Sequence, residues 1–143
     1  MAVDLSIRRI SLDRVDLEPL RKQAAQGGFR FLDRLVEDWA SGAVRFDRSG
    51  EQLLGAFYDG RLVAVGALSC EPYEPAPRTG RLRRFYVSPE CRRRGVATAL
   101  LTRLLEGADA FDEIRLRTGS PEAAAFYERA GFAPAPLAEA TIG

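Results

Sequence analysis

The stretch from Arg83 to Leu101, RRFYVSPECRRRGVATALL, places groups that attract anions between a strand and a helix. An apolar segment ends at Val87, Ser88-Pro89 turns the chain, and Arg92, Arg93 and Arg94 lead to Gly95. Apolar residues then recur with helical period from Val96. The first turn of a helix carries backbone N–H groups without intrahelical partners and the positive end of the helix dipole, so a phosphate can dock there. Gly95 and Ala97 are small enough to let such a ligand approach the backbone. Arginine adds charge and a forked set of donors suited to phosphate. The same run taken alone also reads as a solvated loop.

A second set of residues follows about thirty positions on. Ser120-x-x-Ala123-x-x-x-Tyr127-x-x-x-Gly131-Phe132 sets a small polar residue, an alanine and a tyrosine on one helical stripe that ends at a glycine. Arg92-x-x-Gly95-x-Ala97 resembles the segment with which GCN5-related N-acetyltransferases (GNAT) hold the pyrophosphate of acetyl-coenzyme A. The later set is similar to that family's Asn-x-x-Ala-x-x-x-Tyr-x-x-x-Gly-Phe helix. The likeness spans most of residues 51–133. It implies an α/β fold with a mixed six- to seven-stranded sheet and about four helices, and dependence on acetyl-coenzyme A; a length of 143 residues fits a single domain, 1–143.

The resemblance also assigns roles. Backbone N–H groups from Arg93 to Thr98, including those of Arg94, Gly95, Val96 and Ala97, would face the pyrophosphate. The side chains of Arg92, Arg93 and Arg94 would lie near the phosphates or the adenosine end. The pantetheine arm would pair with the backbone of Phe85, Tyr86 and Val87 where the fourth and fifth strands splay, and an N–H near Val87 would meet the thioester carbonyl. Ser120, Ala123 and Tyr127 would complete the donor site, with Tyr127 as the acid that protonates the departing thiolate. A tyrosine hydroxyl, of ordinary pKa about 10, suits that task. The plain alternative is a buried helix stripe of Ala123, Phe126, Tyr127 and Ala130.

The amine acceptor must lose a proton before attack, since a primary alkylamine is protonated at neutral pH. Some members of the family place a glutamate near the start of the fourth strand, where this chain has Arg81, Arg83 and Arg84. Glu71 and Glu74 in the neighbouring loop are the remaining candidate bases, and both also read as solvated loop charges. The family transfers the acetyl group directly, so Cys91 is not needed as a carrier.

The elements that must position these groups follow from periodicity. Leu5–Ile10 alternates as a strand, and Leu17, Leu20, Ala24 and Ala25 mark a helix over Asp13–Ala25, broken by Gly27-Gly28. Phe31, Leu32, Leu35, Val36 and Trp39 form one face of a second helix, ended by Ser41-Gly42. Core packing explains that stripe. The family resemblance adds that Phe29, Phe31 and Trp39 are candidates for the acceptor wall. Gln52–Tyr58 and Arg61–Leu68 flank Asp59-Gly60 as a hairpin. The proline-rich loop Glu71–Gly80 leads to a central strand, Leu82–Val87, whose alternation slips at Arg83-Arg84, as a bulge would require. A helix from Val96 to Leu105 and a strand Glu113–Arg117 complete a parallel βαβ unit. Ser120 and Pro121 open a last helix through Arg129. From Phe132 on, Pro134 and Pro136 leave little strand signal, so the C-terminal wall is expected to be abbreviated.

Composition narrows the classes. Apolar content of 46% with 29% charge is that of a soluble globular domain, without a run long enough to cross a membrane. A net charge of +1 disfavours a nucleic-acid binder. No histidine occurs, which removes the commonest general base and zinc ligand, and no metal is expected. Cys70 and Cys91 are too few for a disulfide framework and fit a reducing cytoplasm. The sequence therefore predicts acetyl transfer from acetyl-coenzyme A to a primary amine of a small molecule, with no nucleic-acid or membrane partner and a homodimer admitted. A protein or peptide acceptor, or a coenzyme A-binding module without turnover, are the alternatives.

Overall fold

In the computed structural model, Asp59 and Gly60 both lie at positive φ, 49° and 84°. That backbone closes a two-residue hairpin whose twist matches its strands. It joins β2 (Gln52–Tyr58) to β3 (Arg61–Cys70), with Tyr58 opposite Arg61. The structure describes residues 5–73, 76–92, 94–118, 120–135 and 139–142. The other elements are β1 (Leu5–Arg9), α1 (Glu18–Gln26), α2 (Phe31–Ser41), β4 (Thr79–Val87), α3 (Val96–Glu106), β5 (Glu113–Arg117), α4 (Pro121–Arg129), β6 (Ala133–Ala135) and β7 (Glu139–Ile142). Among the described residues the strands form one seven-stranded sheet in the order β1-β2-β3-β4-β5-β7-β6. Only β4 and β5 run parallel, joined through α3 in the expected βαβ unit.

Helices cover both faces of the sheet. On one, Leu100 and Leu104 of α3, neither with any exposed surface, pack with Leu68, Val87, Leu116 and Tyr127. On the other, Leu20 and Ala24 of α1 and Leu32 and Leu35 of α2 pack over Val65, Ala67 and Tyr86. Truncating any of these leucines to alanine removes about 2–5 kcal/mol, so the sheet is held rigidly from both sides.

The bulge expected at Arg83-Arg84 is present. Val65 pairs with Tyr86 and Ala67 with Arg83, so the single residue Gly66 faces both Arg84 and Phe85. Arg84 takes up the extra residue in the left-handed region, φ 55°. Gly66 is required there, because a Cβ at this position would come within 2.9 Å of the Phe85 ring.

Three boundaries differ from the sequence reading. α1 begins at Glu18, not Asp13: Pro19 occupies its first turn and Asp16 Oδ1 accepts the Glu18 N–H at 3.0 Å. Arg14 and Val15 instead both donate to the Ser11 carbonyl in a tight turn. β4 begins at Thr79, drawing the end of the proline-rich loop into the sheet. The C-terminus is not abbreviated, since β6 and β7 pair with each other and β7 pairs with β5. Pro134 is tolerated because β6 is the edge strand, where one face of the backbone needs no ladder donor.

Candidate active site

β4 pairs with β5 only over Thr79, Gly80 and Arg81, then runs on to Val87 with β5 no longer beside it. The two strands therefore splay, leaving the edge of β4 from Leu82 onward without a strand partner among the described residues. Ser88 N–H donates to the Val63 carbonyl at 2.8 Å on the β3 side. Backbone groups alternate along a strand, so the N–H of Val87 points the other way, into the gap. A ligand with an extended amide arm can pair there as an added strand.

The gap ends beside the N-terminus of α3. Gly95 caps that helix in the left-handed conformation, φ 80°, with no side-chain cap and no acidic residue in the first turn. A Cβ built on Gly95 would meet nothing within 4 Å among the described residues, so a ligand can approach the backbone at the start of the helix. These features fit a pyrophosphate. Arg94 is exposed beside this helix end. Arg92 folds back: its Nε donates to the Val87 carbonyl at 3.2 Å and its guanidinium lies 5.8 Å from the Tyr86 ring centroid. Arg93, expected near the phosphates, lies outside the described residues.

Tyr127 is brought to the same gap by α4. Its ring lies 6.1 Å from that of Phe85, edge-on, and is flanked by Phe126 at 5.1 Å and Phe132 at 5.8 Å. It is 8% exposed, and its hydroxyl makes no hydrogen bond to a described residue. Burial pushes the Tyr127 pKa up, which keeps its proton in place through the whole neutral range. Ser120 and Ala123 are engaged with each other: Ser120 caps α4, its hydroxyl accepting the Ala123 N–H at 3.3 Å. Their evident task is to orient the helix that carries Tyr127.

On the opposite face of the sheet Phe29, Phe31 and Tyr86 form an aromatic cluster, with centroid separations of 5.8–6.2 Å. Phe29 is 43% exposed, so the cluster presents an apolar surface beside β4. Tyr86 is its unforeseen member; the sequence reading used only its backbone. Trp39 does not join it. Its indole N–H donates to Asp13 Oδ1 at 3.1 Å and its ring packs against Arg45, an arrangement that ties α2 to the loop before α1.

Glu71 is not a solvated loop charge. Its side chain has no exposed surface, and Arg81 grips it with Nε at 3.0 and 2.9 Å from its two oxygens and Nη2 at 2.7 Å. Arg115 stands 3.7 Å away, and the Tyr73 N–H donates to Glu71 Oε2 at 3.1 Å. Burial acts to raise the Glu71 pKa, but the Arg81 hydrogen bonds, the Tyr73 amide and the arginine charges outweigh it and hold the carboxyl below its ordinary range. A carboxylate so held is a poor proton acceptor, which speaks against the role of base. Glu74 lies outside the described residues. A groove of about 900 Å³ lies at this end of β4, between residues 42–51, the end of β3 and Ala110-Phe111, and Arg83 is on its wall.

The model of the GNAT acetyltransferase family matches residues 16–132. Among solved structures, a candidate acetyltransferase from Exiguobacterium sp. 255-15 is 27% identical, with a TM-score of 0.86 over 97% of this chain and 93% of that one. An acetyltransferase from Streptococcus agalactiae 2603 is 18% identical, with a TM-score of 0.73 over 96% of this chain and 95% of its own. The PaiA N-acetyltransferase of Thermoplasma acidophilum, in complex with coenzyme A, is 19% identical, with a TM-score of 0.65 over 96% of both chains. At such identities the last two speak for the fold alone. A comparison with curated proteins returned no match. The family match, the splayed β4–β5 gap and the open α3 N-terminus agree: the chain belongs to the GNAT family and is an acyltransferase whose donor is acetyl-coenzyme A.

Proposed function

We propose that the protein transfers the acetyl group of acetyl-coenzyme A directly to a primary amine of a small molecule. The observation that carries this is the parting of β4 from β5 beyond Arg81, with Tyr127 set against Phe85 in the gap and the aromatic cluster on the other face of the same strand. The first-turn amides of α3 hold the pyrophosphate, and the free edge of β4 orients the pantetheine arm. The Val87 N–H donates to the thioester oxygen as the amine nitrogen attacks the carbonyl carbon. A preorganised donor of this kind is worth about 3–4 kcal/mol of barrier in other enzymes. The C–S bond then breaks and the sulfur takes the Tyr127 hydroxyl proton, while the amine loses its own proton to water and water returns a proton to the Tyr127 oxygen.

The acceptor enters from the face of Phe29, Phe31 and Tyr86. With Glu71 committed to Arg81, water relays the amine proton without a discrete carboxylate base. The unpaired thiols of Cys70 and Cys91 suit a reducing cytoplasm, and no described helix is long and apolar enough to cross a membrane.

The test is free-thiol release from acetyl-coenzyme A across a panel of small primary amines, a lysine-containing peptide and a free peptide N-terminus. Turnover with small amines at kcat/KM at least tenfold above the peptides is expected. Turnover confined to the peptides, or absent throughout, would contradict the proposal.

A further inference from the structure

Residues 83 and 84 would face opposite sides of a regular strand. The bulge changes that. Arg83 lies over the rings of Phe46 at 5.9 Å and Tyr73 at 5.7 Å, while Arg84 Nη2 reaches Asp38 Oδ2 of α2 at 3.4 Å. Phe46 and α2 belong to the face that carries the aromatic cluster, so both guanidinium groups project there.

Among the described residues the pair is only weakly compensated. The Nε atoms of Arg83 and Arg84 are both buried without a hydrogen-bond partner, and the Arg84 side chain is only 9% exposed. Among the described residues Arg83 makes no ion pair, and Arg84 has only the long Asp38 contact. Burial and then the neighbouring Arg83 charge push the Arg84 pKa down, the response of a cation held in an unfavourable place. The backbone of Arg84 is strained as well, and strain of this kind gathers at ligand sites. Arg81, two residues earlier, shows the contrast: it is matched by the Glu71 carboxylate. Neighbouring arginines whose buried Nε donors both lack an acceptor, with a single long Nη2 contact to Asp38 between them, form a receptor for an anion.

We propose that the acceptor amine carries an anionic group, a carboxylate or phosphate, which Arg83 and Arg84 bind together. This rests on the acetyltransferase reading. Arg83 borders the groove at the start of β4, which gives the anion a route in. At about 3.3 Å per residue, Arg84 stands roughly 10 Å along the strand from Val87, where the amine reacts. The acceptor is thus a compact molecule with its cationic and anionic ends a few bonds apart, an amino acid or a phosphorylated amine. A plain alkylamine or a long polyamine lacks the group these arginines await.

The experiment compares matched acceptors by thiol release: phenylalanine with phenylalaninamide, 4-aminobutyrate with butylamine, and O-phosphoethanolamine with ethanolamine. Each pair is run with the parent and with Arg83→Gln and Arg83→Lys, and donor affinity is followed by calorimetry. The parent should favour the anionic member of at least one pair by tenfold or more in kcat/KM, and which pair does so separates carboxylate from phosphate. Arg83→Gln should reduce that preference below threefold, Arg83→Lys should retain part of it, and donor Kd should stay within threefold. Equal use of anionic and neutral members by the parent, or a preference unchanged in Arg83→Gln, overturns the proposal while leaving the acetyltransferase reading intact. Should Arg83→Gln fail to fold, unchanged preference in Arg83→Lys is the contradicting result. If no amine is turned over, the acetyltransferase reading fails, and stabilisation by N-acetylphenylalanine against N-acetylphenylalaninamide then decides. A shift from the acid alone supports the anion site, and no difference overturns it.

Discussion

Tyr127→Phe is expected to fold like the parent, bind acetyl-coenzyme A within a few fold, and lose roughly 10²–10⁴ in the rate of the chemical step. The substitution keeps the ring that packs on Phe85, Phe126 and Phe132. It removes a hydroxyl that bonds no described residue, so stability should change by less than about 0.5 kcal/mol. Single-turnover measurement separates the effect from slow product release. Because burial raises the Tyr127 pKa, the proton is present below its ordinary value near 10 and is lost only above it. The parent's rate should therefore show no alkaline fall from this residue below about pH 10. A folded variant within threefold of the parent would mean the thiolate leaves unaided.

Glu71→Gln should act on stability, not on the proton-transfer limb of the rate. Removing one partner of a buried ion pair leaves the other charge stranded, at a cost of about 3–5 kcal/mol. For a chain of this size that corresponds to a drop in Tm of roughly 10 °C or more. The sign of the pH dependence follows from the lowered pKa. The contribution of Glu71 is fully present above its ordinary value near 4.5 and is lost as pH falls through the lower value of the folded state. The gap between parent and variant should thus be wide at pH 7 and narrow in acid. A variant that keeps the parent's Tm and shows a displaced pH–rate profile would restore Glu71 as the base.

The contrast between these two residues shows where sequence reasoning reached its limit. The place of Tyr127 on a helix stripe was legible because its neighbours recur within one helix, and the Asp59-Gly60 hairpin and the βαβ unit are likewise local patterns. The slip in alternation at Arg83-Arg84 announced a bulge, and φ 55° at Arg84 is its signature. Glu71 was misread because its partner is ten residues away across the β3–β4 pairing, and a proline-rich flank resembles solvated loop. The charge pair at the bulge went unnoticed as a site because only the fold shows that both side chains share one face. Pro134 concealed β6, since an edge strand tolerates what a central one does not. The parting of β4 from β5 depends on where a register ends, which no residue type encodes.

Amide hydrogen exchange with and without acetyl-coenzyme A tests the central claim most directly. Thr79, Gly80 and Arg81 are already bracketed by β3 and β5, so their exchange should be unaffected by the donor. The amides of Phe85 and Val87 at the open edge of β4, and those of Val96, Ala97 and Thr98 at the start of α3, should slow by tenfold or more. Protection confined to other segments, or none at saturating donor, would contradict the placement of acetyl-coenzyme A in the β4–β5 gap.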